Sequence, residues 1–251
     1  AAVELLHTAT LMHDDTLDKA TVRRGKPTVN ALWNGDTAIL AGDYLFARAA
    51  EMVSSLGDVR LTSLFARTLM VICQAELERS SNAFRCNQTR ESYFQRIGSK
   101  TASLFAASTE SGVLLSDAPD AAVQALREYG HALGMAFQIA DDILDFLGDE
   151  GEMGKPTGSD ILEGTLTLPA SLFLEKEPGD NIIRQAFEGD GGKRALKRAI
   201  QNIRRSPYID ESYRIAKEFC TRAGQALGPL PDNPSHRSLA SLAEYVVSRR
   251  R

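Results

Sequence analysis

Two short clusters of aspartates are the residues of this sequence best suited to chemistry. Both have the pattern DDxxD: Asp14, Asp15 and Asp18 in the first, and Asp141, Asp142 and Asp145 in the second. On a helix, residues four apart differ by about 40° in direction and about 6 Å in rise, so the outer aspartates of each cluster share a face. Carboxylates near the C-terminal end of a helix oppose the helix dipole. A hard, oxygen-binding cation such as Mg²⁺ would relieve that repulsion, so both clusters are candidate metal sites.

A basic loop follows each aspartate cluster. Arg23 and Arg24 lie shortly after Asp18 in RRGKP, and Lys155 lies ten residues after Asp145 in GKPTGSD. An arginine can donate two hydrogen bonds at once to the oxygens of a phosphate, and a lysine contributes a compact positive charge. These loops are therefore suited to bind a diphosphate group. A single DDxxD is as often a set of solvated carboxylates. Two copies, each followed by a basic loop, favour joint binding of metal and phosphate.

The composition is that of a globular protein and disfavours several functional classes. The 251 residues are 43% hydrophobic and 25% charged, and the net charge of −4 argues against a general nucleic-acid binder. No apolar run approaches the ~20 residues that a membrane span needs. The 3 cysteines are far apart and form no CxxC pair, so we expect neither a disulfide framework nor a zinc site. We therefore expect a reducing, cytoplasmic location.

The hydrophobic pattern is helical almost throughout. The 3.6-residue period predicts helices over 1–18, 36–56, 59–82, 91–115, 119–147, 165–176, 180–188, 192–204, 210–227 and 236–250. Asp36 is the expected cap of the second helix, and Gly98 is a point where the fourth could break. Residues 19–35 and 148–164 contain glycine and proline and are predicted to be loops. The pattern therefore predicts an all-α helical bundle, with no linker long enough to divide it.

Three segments of the chain resemble the trans-prenyltransferase family of isoprenyl diphosphate synthases. They are ELLHTATLMHDDTLDKATVRRGKPTVN, GSKTASLF and FQIADDILDFLGDEGEMGKPTGSD. In order and spacing they match the family's two aspartate-rich motifs and the Lys-Thr motif between them. The resemblance implies one domain over residues 1–251, an antiparallel helical bundle around a deep central pocket of the isoprenoid synthase type.

The resemblance also implies the reaction and the residues that carry it. Isopentenyl diphosphate would condense head-to-tail (1′–4) with an allylic diphosphate, through an allyl cation left by the departing diphosphate. The six aspartates would bind Mg²⁺, about three ions per active site, with Mn²⁺ as a substitute. The implied roles are allylic-diphosphate binding by Arg23, Lys100, Thr101, Gln138 and Lys155, with catalysis by Lys100, Thr101 and Gln138, and isopentenyl-diphosphate binding by His7 and Arg24.

Helical spacing supports two of these roles independently of the resemblance. His7 lies seven residues before Asp14, on the same helix face two turns back. Gln138 lies three residues before Asp141 and is also co-facial with it. A lone helical histidine is more often a structural hydrogen-bonding residue, so the spacing alone would not assign His7 to a substrate.

The helical turn before Asp14 bears on product length. Ala9 and Thr10 stand five and four residues before Asp14, and both are small. Short-chain members of the family carry bulky aromatic residues there, which stop the growing chain. The resemblance therefore implies a long-chain, all-trans polyprenyl diphosphate, and a farnesyl or geranylgeranyl diphosphate synthase is the alternative.

Three other interpretations stay open. A class I terpene cyclase also uses DDxxD, but its second motif normally mixes Asn, Ser or Thr with Glu. An HD-type phosphohydrolase would use His13 and Asp14, although the chain has only 4 histidines. A non-catalytic subunit of a heteromeric synthase would be expected to have lost carboxylates.

The resemblance implies partners as well. We expect a homodimer that binds the two diphosphate substrates, no nucleic acid, and at most peripheral contact with a membrane. The chain opens in the middle of a helical pattern and lacks the family's upstream Gly-Lys-Arg segment. We therefore expect the domain to be missing its N-terminal helices.

Overall fold

Helices make up most of the part of the chain that the structure describes. The computed structural model describes residues 1–148, 157–177, 179, 181–189 and 192–248. Its elements are α1 (Ala2–Leu17), β1 (Val22–Arg23), β2 (Lys26–Pro27), α2 (Val29–Leu32), α3 (Gly35–Ser54), α4 (Val59–Asn82), α5 (Arg90–Ile97), a π-helical turn π1 (Gly98–Ala102), α6 (Ser103–Leu114), α7 (Asp120–Leu147), α8 (Ser159–Leu162), α9 (Leu168–Lys176), α10 (Ile182–Glu188), α11 (Gly192–Arg204), α12 (Tyr208–Ala226) and α13 (Pro234–Ser248).

The prediction of an all-α protein is confirmed, and a few local details differ. Asn34 rather than Asp36 caps α3, because its side-chain oxygen accepts a hydrogen bond from the Thr37 amide at 2.7 Å. A short hairpin lies in the predicted loop 19–35, and α8 lies in the predicted loop 148–164. The interruption expected at Gly98 is the π-helical turn that connects α5 to α6.

The described residues group into two compact units, Ala1–Leu69 and the described residues from Met70 onward. In the first unit α1 packs against α3. Gly42 of α3 makes this contact possible, because a Cβ there would lie 2.3 Å from Nε2 of His13. The single domain expected from the resemblance stays a prediction.

The basic loop after α1 is a two-stranded antiparallel hairpin. Arg23 pairs with Lys26, so Arg24 and Gly25 form its two-residue turn. Both have positive φ, 51° for Arg24 and 73° for Gly25. This is the conformation of the tight turns that best match strand twist, and glycine adopts it without steric cost. For Arg24 it is strained, and such strain is common at functional sites.

The second unit is built around α7, which packs against α6 and α12. Ile139, Ile143 and Phe146 of α7 are completely buried in its larger hydrophobic cluster. Full burial of a side chain of this size stabilises a fold by about 1.5–3 kcal/mol. The long helix thus carries the second aspartate motif on a backbone that is held on several sides.

Two glycines let α7 approach the neighbouring helix closely. A Cβ at Gly130 would lie 2.6 Å from the carbonyl oxygen of Phe105, and a Cβ at Gly134 would lie 2.6 Å from Cα of Ala102. Both obstacles are backbone atoms, which cannot move aside as a flexible side chain can. These glycines therefore fix the distance between α7 and the π1–α6 segment.

Candidate active site

The first aspartate motif occupies the last turn of α1 and its C-cap. Asp15 is buried at 6% exposure, and one of its carboxylate oxygens accepts a hydrogen bond from Nε of Arg23 at 2.7 Å. Asp14 and Asp18 are half-buried. The three carboxylates are therefore not equivalent, because Asp15 ties the basic hairpin to the helix.

The other predicted residues of α1 lie on the turns before this motif. His7 and Thr10 are half-buried, and Ala9 is completely buried. The Thr10 hydroxyl donates to the His7 carbonyl at 2.7 Å. Arg24 is exposed at the tip of the hairpin. Small side chains thus line the helix one turn before Asp14, as the sequence indicates.

The side chain of His13, on α1, packs against residues of α3. Its Nε2 lies 3.1 Å from the Ile39 carbonyl oxygen and 3.4 Å from a carboxylate oxygen of Asp43. Its ring also meets Phe46 edge-on, at 5.1 Å between centroids. A histidine seated in this way gives no support to the metal-binding His-Asp pair of an HD phosphohydrolase.

The second aspartate motif lies on α7, where Asp142 is held by two internal donors. The Tyr93 hydroxyl donates to one oxygen of Asp142 at 2.6 Å, and the Gln138 amide donates to the other at 2.8 Å. Burial and the neighbouring Asp142 charge hold the pKa of Tyr93 well above its usual range. Tyr93 is therefore a permanent hydrogen-bond donor to Asp142.

Asp145 is held in a similar way by the start of α8. One of its oxygens accepts from the Ser159 amide at 3.0 Å and from the Ser159 hydroxyl at 2.8 Å. The other accepts from the Asp160 amide at 3.4 Å. Asp141 is half-buried, whereas Asp142 and Asp145 are buried. The second motif therefore also combines half-buried and buried carboxylates, but its third aspartate is buried whereas Asp18 of the first motif is half-buried.

Burial makes the second motif electrostatically costly. Burial and then the negative charge of Asp160 raise the pKa of Asp142 to about 8, against the lowering effect of its hydrogen bonds. The same two causes, in the same order, raise the pKa of Asp145 to about 7. A nearby divalent cation reverses such shifts, because it stabilises the ionised carboxylates. The charge and the oxygen donors here fit Mg²⁺.

Within the described ranges, no group of three or more His, Cys, Asp or Glu side chains is arranged to hold a metal ion. Mg²⁺ seldom needs such a cage, since it usually takes one or two carboxylates together with substrate phosphates and water. Asp14 and Asp18 in one unit and Asp141 in the other have the partial exposure that this kind of binding requires.

The Lys-Thr motif lies on π1, beside the second aspartate motif. The Thr101 hydroxyl donates to the side-chain oxygen of Gln138 at 2.6 Å. Thr101, Gln138 and Asp142 therefore form one hydrogen-bonded chain. The ammonium of Lys100 lies 2.5 Å from a carboxylate oxygen of Glu76 on α4. π-Helical turns are rare and frequently mark functional sites.

Several residues of these networks were not identified from the sequence. They are Glu76, Tyr93, Ser159 and Asp160. Ser159 and Asp160 belong to the sequence segment GSD that follows the second motif, so they could have been identified from the sequence. Tyr93 and Glu76 lie on helices far from both motifs in the sequence, and no sequence pattern pointed to them. Lys155 lies outside the described residues.

Comparison with known proteins identifies the family. The model of the polyprenyl synthetase family matches residues 1–203. The chain is 39% identical over 251 residues to heptaprenyl diphosphate synthase component 2 of Geobacillus stearothermophilus, covering 99% of this chain and 77% of that protein.

Solved structures agree with this assignment. The crystal structure of heptaprenyl diphosphate synthase from Staphylococcus aureus is similar at a TM-score of 0.95 and 38% identity, covering 100% of this chain and 79% of that one. A polyprenyl synthase from Caulobacter crescentus, complexed with calcium and isoprenyl diphosphate, is similar at 0.93 and 36%, covering 100% and 77%.

The fold is therefore the all-α isoprenoid synthase fold, and the protein is a trans-prenyltransferase. The chain belongs to the polyprenyl synthetase family, which confirms the resemblance seen in its motifs. Over the described residues, no helix is both long enough and apolar enough to cross a membrane.

Proposed function

We propose that this protein condenses isopentenyl diphosphate head-to-tail with an allylic diphosphate and makes an all-trans, long-chain polyprenyl diphosphate. One observation carries the choice of a long product. The turn of α1 before Asp14 contains small residues, with Ala9 completely buried and Thr10 half-buried. The similar proteins named as heptaprenyl diphosphate synthases support the same choice.

We propose that both aspartate motifs bind Mg²⁺, with Mn²⁺ as a substitute. Asp14, Asp18 and Asp141 would be direct ligands, since they are partly exposed. The buried members of the motifs would complete or orient these sites: Asp15, Asp142 and Asp145. When bound, Mg²⁺ neutralises charge on the diphosphate as a Lewis acid. The calcium and isoprenyl diphosphate bound to the Caulobacter protein support a cation and a diphosphate here.

The basic residues would hold the leaving diphosphate. Arg23, Lys100 and Lys155 would contact the allylic diphosphate and stabilise the charge that develops when its C–O bond breaks. His7 and Arg24 would bind the diphosphate of isopentenyl diphosphate. The double bond of that substrate then attacks the allyl cation, and the departed diphosphate takes the proton that is lost.

Thr101 and Gln138 would stabilise the allyl cation without trapping it. The Thr101 hydrogen is directed to Gln138. The lone pairs of the Thr101 oxygen can therefore face a cation. Gln138 is held in turn by Asp142. A weak dipole in a fixed position suits a carbocation better than a strong nucleophile, because it does not form a bond with it.

We propose a homodimer as the active form. The Geobacillus relative is named as component 2, which supports a heteromer as the alternative. The molecular mass of the purified protein in solution and its activity without any other subunit distinguish the two: an active dimer of this chain supports the homodimer, and a chain that is inactive by itself supports the heteromer. The cytoplasmic location stays a prediction.

The metal-dependent chemistry is tested by substitution of one partly exposed aspartate in each motif. We expect Asp14→Ala and Asp141→Ala to lower turnover by at least about 10²–10³-fold, the usual loss for one group that stabilises a developing anion. The exposed Asp36 provides a control, and Asp36→Ala should keep turnover within about twofold. Near-normal turnover in EDTA, or in both motif variants, would rule out the mechanism.

A further inference from the structure

Glu76 of α4 is a largely buried carboxylate placed between two cations. Its side chain is 15% exposed, and one of its oxygens lies 2.5 Å from Nζ of Lys100. The other oxygen accepts from Nε of Arg79 at 2.9 Å. Each carboxylate oxygen thus contacts a different positive charge.

These two cations keep Glu76 ionised. Burial alone would raise the pKa of Glu76, but Lys100 and then Arg79 lower it below the usual value. A buried carboxylate with a single partner often gains little over its desolvation cost. Here two partners share one negative charge, so the cluster of three side chains carries a net positive charge.

The position of Lys100 makes this contact relevant to the reaction. Lys100 lies on π1, next to Thr101, whose hydroxyl is bonded to Gln138. A lysine side chain is long and flexible, and its ammonium has three N–H donors. The ion pair with Glu76 restricts where this flexible ammonium can lie.

We propose that Glu76 is a positioning residue that holds the Lys100 ammonium in place for the allylic diphosphate. This inference rests on the role proposed for Lys100. Arg79 would keep the carboxylate charged and balanced, so that Glu76 does not repel the incoming diphosphate. Glu76 itself would not touch the substrate.

The test compares two glutamates of the same helix. Glu76→Gln keeps the shape and removes the charge. Glu78→Gln is the matched control, because Glu78 is exposed and contacts Gln74 of its own helix at 2.9 Å. We expect Glu76→Gln to raise KM for the allylic substrate by about tenfold, as loss of a supporting contact commonly does. KM for isopentenyl diphosphate should stay within about twofold, and Glu78→Gln should change neither value.

A double-mutant cycle with Lys100→Ala separates positioning from a general effect on the fold. If Glu76 acts through Lys100, then adding Glu76→Gln to Lys100→Ala should cause no further rise in the allylic KM. Equal effects of Glu76→Gln on both substrates, full additivity in the cycle, or an unchanged allylic KM would each overturn the inference.

Two further results keep the test decisive. If Glu76→Gln does not fold, Glu76→Asp replaces it, since the shorter side chain keeps the charge but withdraws it from Lys100, and the same split between substrates is expected. If Lys100→Ala leaves the allylic KM unchanged, then the role proposed for Lys100 fails, and the positioning role fails with it. An effect of Lys100→Ala without one of Glu76→Gln would overturn the positioning role alone.

Discussion

At the scale of single residues, the carboxylates of each aspartate motif divide into two kinds. The buried ones are held by neighbouring donors: Asp15 by Arg23, Asp142 by Tyr93 and Gln138, and Asp145 by Ser159 and Asp160. The remaining ones are partly exposed: Asp14, Asp18 and Asp141. Groups that orient metal ligands and substrate contacts are commonly almost as important as the ligands themselves.

The pair formed by Asp15 and Arg23 gives a first prediction. Asp15→Asn should release Arg23 and raise KM for the allylic substrate by about tenfold, because the guanidinium loses its charged anchor. Asp58, which pairs with Arg60 at 2.6 Å, offers a control of the same chemistry. Steady-state kinetics should show no change for Asp58→Asn. An equal effect of the two substitutions would mean that Asp15 has no special role.

The raised pKa values of the second motif give a prediction about pH. The folded chain holds the protons of Asp142 and Asp145 more tightly than the unfolded chain, in which aspartates titrate near 4. The stability linked to those protons is complete below about pH 4 and is lost as pH rises through about 7 to 8.

This pH dependence can be measured by urea unfolding in EDTA. Between about pH 5 and 8 the free energy of unfolding of the wild type should fall, and it should fall less for Asp142→Asn, which has no proton to lose. Added Mg²⁺ should reduce the slope of the wild type. The same slope in both proteins would mean that Asp142 is not the titrating group.

At the scale of elements, close helix packing aligns Thr101 and Gln138, the two residues proposed to stabilise the allyl cation. Gly134 of α7 lies against Ala102, the residue after Thr101. Gln138, one turn further along α7, bonds to Thr101. The Thr101–Gln138 contact therefore depends on how closely two backbones approach each other.

Two alanine substitutions at helical glycines test this dependence. Gly134→Ala should destabilise the fold by ~1–3 kcal/mol through overpacking and should also lower turnover. Gly112→Ala is the control, because a Cβ at Gly112 of α6 meets nothing within 4 Å. It should stabilise the fold by ~0.5–1 kcal/mol and leave turnover unchanged. Thermal melts and initial rates measure both, and a neutral Gly134→Ala would contradict the packing argument.

The sequence predicts the helices and the aspartate motifs well because both are local patterns. Hydrophobic periodicity determines most helix limits, and the spacing in DDxxD determines which carboxylates share a face. It could not predict which carboxylates are held internally. That division depends on partners outside the helix that bears the motif: Tyr93, which lies 49 residues from Asp142, and Arg23, which reaches Asp15 from the hairpin that follows α1. The ion pair between Glu76 and Lys100 likewise joins separate helices, so no local pattern reveals it.

At the scale of the whole molecule, we propose that the length of the product depends on the side chains one turn before the first aspartate motif. An extended isoprene unit is about as long as one helical turn, roughly 5 Å. A bulky residue one turn before Asp14 should therefore stop the chain near its start. We expect Thr10→Phe, or Ala9→Phe, to shift the product to about three or four units while the first condensation survives.

The exposed Thr8 of α1 is a matched control for this prediction. Its hydroxyl bonds to the Glu4 carbonyl at 2.7 Å, much as that of Thr10 bonds to His7. Thr8→Phe should leave product length unchanged. A folded Thr10→Phe protein that made the wild-type product would place the limit on chain length elsewhere. Thermal melts alongside chromatography distinguish this from simple overpacking, which costs ~1–3 kcal/mol.

The product that the unaltered protein makes is the most direct test of the proposed function. The purified chain is incubated with Mg²⁺, labelled isopentenyl diphosphate and an allylic diphosphate, and the dephosphorylated products are separated by reversed-phase chromatography. We predict an all-trans main product of at least about six isoprene units, because the turn of α1 before Asp14 carries the small side chains of Ala9 and Thr10. A main product of three or four units, a cyclic hydrocarbon, or no product from the chain alone would contradict it.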